Sequence, residues 1–175
     1  MSPTLPPIPL PHPVQEALGR HVAFDQAWEL VWALSLHAGA MGEVPVGAVV
    51  LDEASQLQGA GYDARMLLHD PTAHAEILAL RHAAQRLGDW RLDGSTLLVS
   101  LEPCPMCAGA ILMARVARLR WAAASPKFGA VGSLTNLLQG PVWNHSVDAA
   151  PDSPEHAQRA ATILRDWFRD HRKSG

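Results

Sequence analysis

Two short segments of this chain, thirty residues apart, carry side chains whose chemistry requires them to meet in space. The first is His74-Ala75-Glu76 and the second is Pro103-Cys104-Pro105-Met106-Cys107. Imidazole and thiolate are preferred zinc ligands, so a fold for this sequence has to bring His74 to Cys104 and Cys107. The chain has only two cysteines, and both lie in the second segment. Structural zinc is usually closed by four protein ligands, whereas a hydrolytic site keeps one position open for water. Three ligands and a separate carboxylate, Glu76, fit the hydrolytic arrangement. Two other readings stay open on the residues alone. A redox C-x-x-C pair explains the cysteines but leaves His74 and Glu76 idle. A structural zinc needs a second histidine, and His69, His82 and His145 are nominally available.

The rest of the composition narrows the class. With 175 residues, 48% of them apolar and 18% charged, the chain suits one domain with a real core. No apolar run approaches a membrane span, and the N-terminus lacks the layout of a signal peptide. Two thiols in a metal motif and no cysteine framework fit a reducing cytoplasm. A formal net charge of -3 gives no blanket case for nucleic acid, so any RNA-binding surface must be local. Six prolines fall within the first thirteen residues, and we expect residues 1–19 to be an extended, mobile leader ahead of a domain over 20–175.

Apolar residues at Phe24, Trp28, Val31, Trp32 and Leu36 predict an amphipathic helix over about 21–41. Val44 to Leu51 reads as a buried strand, and Gln56 to Tyr62 as its hairpin partner. Asp70-Pro71 looks like an N-cap followed by proline at the first helical position, with Ile77, Leu80, Ala84 and Leu87 on the buried face and Gly88 ending the helix. A strand is expected over 96–101, a helix from Pro105 to about Arg115, strands over 116–122 and 142–147, and a last helix over 154–170. Strands alternating with helices argue for a layered α/β domain.

Both metal-bearing segments fall at or near predicted helix starts, where backbone donors and partial positive charge favour thiolate. In this reading a zinc-bound hydroxide is the nucleophile, and Glu76 takes and returns its proton. His69 could contact a phosphate or sugar. Glu102 reads as a structural hydrogen-bond partner.

The H-x-E and P-C-x-x-C pair is the signature of the zinc-dependent deaminases. Longer stretches resemble bacterial tRNA-specific adenosine deaminases: Glu43 to Val49, His69 to Ile77, Leu101 to Ala110, Lys127 to Leu134, Asn144-His145 and Asp166 to Arg169. The resemblance covers roughly residues 20–172. It implies a three-layer α/β/α cytidine-deaminase-like fold with a five-stranded mixed sheet, one Zn2+ per subunit, and a homodimer with active sites near the subunit interface. It also implies a hydrolase acting on a cyclic amidine, converting the wobble adenosine of a tRNA anticodon stem-loop to inosine. By position, Val46 and the backbone at Ala75 would line the base pocket. Phe168, with Arg169, Arg172 and Lys173, would bear on the anticodon loop.

Two departures bear on the substrate. Gly61-Tyr62-Asp63 stands where the family usually has Trp-Asn after a glycine, and an ionised Asp63 accepts hydrogen bonds but cannot donate them. Ser125, in Ala123-Ala124-Ser125-Pro126, keeps a hydroxyl for a ribose but loses the family's charge. An alternative is therefore a free nucleobase or nucleoside deaminase of guanine or cytosine type. A zinc module without activity is a third reading, which the presence of Glu76 counts against.

Overall fold

The architecture was read from a computed structural model of the chain, described over residues 8–140 and 143–171. Among the expected features, Pro3, Pro6, Pro7, Val142, Arg172 and Lys173 lie outside the described residues.

A five-stranded mixed sheet runs through the middle. Its strands are β1 (Gly47–Leu51), β2 (Leu57–Tyr62), β3 (Thr96–Leu101), β4 (Arg118–Ala123) and β5 (Asp148–Pro151), in the order β2-β1-β3-β4-β5. β1 pairs antiparallel with β2 and β3, while β3–β4 and β4–β5 are parallel. The central strands are buried on both faces, and alternate side chains serve two cores. Val49, Leu51 and Leu98 pack with Trp28, Val31 and Leu34 of α2 (Phe24–Ala40), Val14 of α1 (His12–Ala17) and Ala160 of α6 (Pro154–His171). Ala48, Val50, Leu97 and Val99 pack with Ala75, Ala79 and Ala83 of α4 (Ala75–Leu87) and Ala108 and Ile111 of α5 (Pro105–Met113). The result is the expected three-layer α/β/α fold.

The closest approach between layers lies between α4 and β2. A Cβ built on Gly59 would stand 2.2 Å from the Ala79 carbonyl oxygen, and one on Gly61 would stand 2.5 Å from that of Ala75. Only glycine lets the helix sit this near the strand. The alanine face of α4 therefore turns to the sheet. Of the apolar stripe read from sequence, Leu80 is buried, Ile77 and Ala84 are half-buried, and Leu87 is exposed. The stripe runs from the core at Leu80 to solvent at Leu87, beside the sheet-facing side, which the small residues take because the separation leaves no room for large ones.

Four other expectations are corrected. From Ile8 onward the N-terminal segment is not an extended leader: Ile8 and Leu10 pack on the core and Val14 is fully buried. Pro11 caps α1 and Pro13 sits in its first turn, where no backbone donor is required. The segment then runs along β2, with the Gly19 amide donating to the Leu57 carbonyl (2.8 Å) and the Leu57 amide donating to that of Arg20 (2.9 Å). Helix α4 begins at Ala75, not Pro71. The Asp70 carboxylate instead accepts from the Thr72 amide and hydroxyl at 2.8 and 2.6 Å, which closes a local turn. The last strand lies at Asp148–Pro151 and not over 142–147. Arg120 selects it by donating to both the Asp148 carbonyl and carboxylate, each at 2.8 Å. Finally, Phe24 and Leu36 are exposed on α2. A short helix, α3 (Arg65–Leu68), follows β2.

Candidate active site

The site is built at two helix starts facing each other across the end of the sheet. β3 ends at Leu101, and Glu102-Pro103 lead to Cys104, the N-cap of α5. His74 is the N-cap of α4, so Ala75 and Glu76 form its first turn. The partial positive charge of both helix N-termini is thus placed beside the same ligands.

There His74 Nδ1 lies 3.7 Å from Cys104 Sγ and 3.6 Å from Cys107 Sγ. Ligand atoms held by one tetrahedral zinc, at about 2.0 Å for nitrogen and about 2.3 Å for sulfur, stand roughly 3.6 Å apart. The donor set therefore fits zinc in both chemistry and spacing. No second histidine joins the trio among the described residues. His82 is paired with the Ala60 backbone, His145 lies 2.8 Å from the Val116 carbonyl, and His69 is exposed.

Two carboxylates stand beside the ligands. Oxygens of Asp63 and Glu76 and a His74 ring nitrogen lie within 4.8 Å of one another. Glu76 is buried, and desolvation pushes its carboxyl up to about 7, with the nearby Asp63 adding to the rise. Asp63 is likewise pushed up by burial, to about 6, although His74, the Ala75 amide and Arg65 oppose the shift. The thiols share their protons unequally. A hydrogen bond with Cys107 draws Cys104 down to about 4, while Cys107 is held well above the usual thiol range. Hydrogen bonding to Cys104 raises His74 against the opposing effect of burial.

The structure gathers some of the expected site residues and leaves others apart. Ala75 donates its amide to Asp63 Oδ1 at 3.1 Å. The Asp63 amide donates to the Val46 carbonyl at 3.1 Å, which links the backbones of Val46 and Asp63 to the start of α4 beside His74. His69 sits outside this cluster, in the left-handed region (φ 49°) at the end of α3. Ser125 lies on the loop after β4, and its amide donates to Glu102 Oε2 at 2.9 Å. Phe168 lies on α6, half-exposed and edge-on to Trp167.

Glu102 is structural, as its sequence position suggests. Its carboxylate also accepts from the amide and hydroxyl of Ser133, and a Cβ on Gly129 would collide with it at 2.4 Å. One buried acid thereby ties the 125–133 loop to the segment that carries Cys104.

Sequence reasoning assigned no role to two residues that shape the rim. Glu43 is buried, and its Oε1 accepts from the Leu67 amide at 2.7 Å, pinning α3. Arg65 Nη2 lies 3.6 Å from Asp63 Oδ2. A signal for Arg65 was present, since a basic residue two positions after a departing acid invites pairing.

Comparison with known proteins agrees with this geometry. The MafB19-like deaminase family matches residues 23–172. The tRNA-specific adenosine deaminase of Haemophilus influenzae is 43% identical over 130 residues, covering 73% of this chain and 75% of that protein. A structure solved in a study of A-to-I editing by tRNA:A34 deaminases superposes with a TM-score of 0.75 at 38% identity, covering 80% of this chain and 99% of the other. The guanine deaminase of Nitrosomonas europaea gives a TM-score of 0.71 at 26% identity, covering 91% of this chain and 94% of the other. At this level of identity the chain belongs to the MafB19-like deaminases, and within them to the tRNA-specific adenosine deaminase family.

Proposed function

We propose that this enzyme hydrolyses adenosine to inosine at the wobble position of a tRNA anticodon, releasing ammonia. The observation that carries the reading is the His74, Cys104 and Cys107 donor set with the Glu76 carboxylate beside it. His74 Nδ1 and the Cys104 and Cys107 thiolates would hold zinc, which when bound lowers the pKa of a water from about 15.7 to about 7.

Glu76 does the proton work. Its carboxylate accepts the proton of the attacking water and delivers it to the ring nitrogen beside the attacked carbon. A carbon–oxygen bond forms; Glu76 then takes the proton of the new hydroxyl and passes it to the amine, which leaves as ammonia as the carbon–nitrogen bond breaks and the carbonyl forms. Burial at the end of the sheet keeps Glu76 from bulk water. Val46 and the Ala75 backbone would face the base, Ser125 a ribose, and His69 and Phe168 the surrounding RNA.

The enzyme would act as a homodimer in the cytoplasm. Support for the dimer is an outward apolar groove between α4 and α5, lined by Ile77, Leu80, Ala84, Trp90 and Met113. Trp90 is 65% and Met113 71% exposed, and a second copy would cover them.

Asp63 favours a second reading, a deaminase of free guanine. Its buried carboxylate accepts hydrogen bonds, which suits amino and ring N–H groups. Ammonia release and inosine detection with zinc-loaded protein separate the two. The expected result is inosine in an anticodon stem-loop with adenosine at the wobble position, and no turnover of guanine, cytosine, cytidine or free adenosine. Turnover of guanine with the stem-loop untouched would replace the first reading by the second.

A further inference from the structure

A partly exposed cation stands near the metal ligands, paired with a buried acid. Arg65 opens α3, and its Nη2 lies 3.6 Å from Asp63 Oδ2. The side chain of Asp63 is 7% exposed and that of Arg65 is 41% exposed, so the carboxylate is an internal anchor and the guanidinium reaches solvent. The other carboxylate oxygen of Asp63 is taken by the Ala75 amide, next to His74. Arg65 is therefore one carboxylate away from the ligand set.

The platform beneath it is fixed at several points. The Leu67 amide is held by Glu43, the Ala64 amide by the Ala73 carbonyl at 3.0 Å, and the Arg65 carbonyl accepts from the Asp70 amide at 3.1 Å. A guanidinium has five N–H donors in a planar fork, and only its Nη2 comes within ion-pair distance of Asp63, at 3.6 Å. Three buried acids, Glu43, Asp63 and Glu76, lie near this platform. A polyanion is held at such a place by exposed cations that meet its phosphates.

We propose that Arg65 is a substrate-binding residue that contacts a backbone phosphate of the RNA beside the target nucleotide, with Asp63 as its positioning residue. This inference rests on the tRNA reading, and it deepens that reading by identifying the contact that a free base lacks. A phosphate contact obeys a quantitative rule: each one removed flattens the dependence of log affinity on log salt by about one unit.

The test is the affinity of labelled anticodon stem-loop for the zinc-loaded protein, from 50 to 200 mM salt, for wild type, Arg65→Ala and Arg65→Lys. Inosine formation is followed in the same samples. Arg65→Ala is expected to bind on the order of tenfold more weakly at low salt, with a slope lower by about one. Its KM should rise more than its kcat falls. Arg65→Lys is expected to recover the slope, since it restores the charge, and only part of the affinity, since it loses the fork. Weaker binding by Arg65→Ala with the wild-type slope would overturn the phosphate contact and leave Arg65 a structural residue. Unchanged binding would overturn it as well, while wild-type editing of the stem-loop would keep the tRNA reading intact. A wild-type protein that neither binds nor edits the stem-loop would overturn both.

Discussion

Glu76 and Asp63 are two buried carboxylates a few ångströms from the same imidazole, and position separates their work. Glu76 lies in the first turn of the ligand-bearing helix, whereas Asp63 accepts from the Ala75 amide and lies 3.6 Å from the Arg65 guanidinium. Glu76→Gln keeps the shape and hydrogen-bonding capacity but cannot shuttle a proton. It is expected to retain one zinc per chain by metal analysis while losing about 10²- to 10⁴-fold in deamination rate. His82 offers a stability test remote from that chemistry. Burial lowers its folded-state pKa below the usual value of about 6.5, and Arg86 lowers it further, against the opposing effect of a hydrogen bond that the ring donates to the Ala60 carbonyl. The unfolded chain then binds the proton more readily, so stability should fall as pH drops below about 6.5. Urea midpoints compared between pH 7.5 and pH 5 should show a smaller loss for His82→Gln than for wild type.

At the scale of elements, the ligands were legible because each sits where a local rule places it. Cys104 precedes a proline at the first helical position, and two half-motifs agree on one pattern. The paths between the ligands were less legible. Asp70-Pro71 satisfies the rule for a helix start, yet the Asp70 side chain is consumed by Thr72 and the helix waits for Ala75. Asp148–Pro151 has almost no strand propensity and is held by Arg120, a long-range partner that no local window contains. The displacement of the α4 stripe from the sheet-facing side depends on Gly59 and Gly61, which belong to another element. Gly61→Ala puts a methyl 2.5 Å from the Ala75 carbonyl and 2.6 Å from the Ala79 amide nitrogen. It should cost about 1–3 kcal/mol in urea unfolding. Because the displaced helix is capped by His74, zinc affinity in a competitive chelator titration should fall with it.

The whole molecule joins a sheet that brings the ligands together with two helical layers of unlike outer character. Fold class was readable from the alternation of strands and helices, but the surface was not, since periodicity reports a stripe without saying which way it faces. In the assembly proposed above, the stripe on α4 meets its counterpart on a second copy. Met113→Glu places a charge in that groove and should shift sedimentation from a dimer toward a monomer at micromolar concentration. The far-UV circular dichroism spectrum should stay unchanged.

The segment ahead of the family match has a consequence for how this protein behaves in concentrated solution. Residues 18–22 hydrogen-bond along the outer side of β2 and its approach, and the sheet order leaves that side without another strand. A chain trimmed to start at Ala23 would keep every metal ligand and every strand of the sheet. It would also leave the Leu57 amide and carbonyl and the Ser55 carbonyl, at the start of the edge strand, open to any other molecule that collided with it. Such edges recruit one another. The trimmed chain should therefore scatter light and precipitate on standing, through pairing of intact folds edge to edge, while still binding zinc.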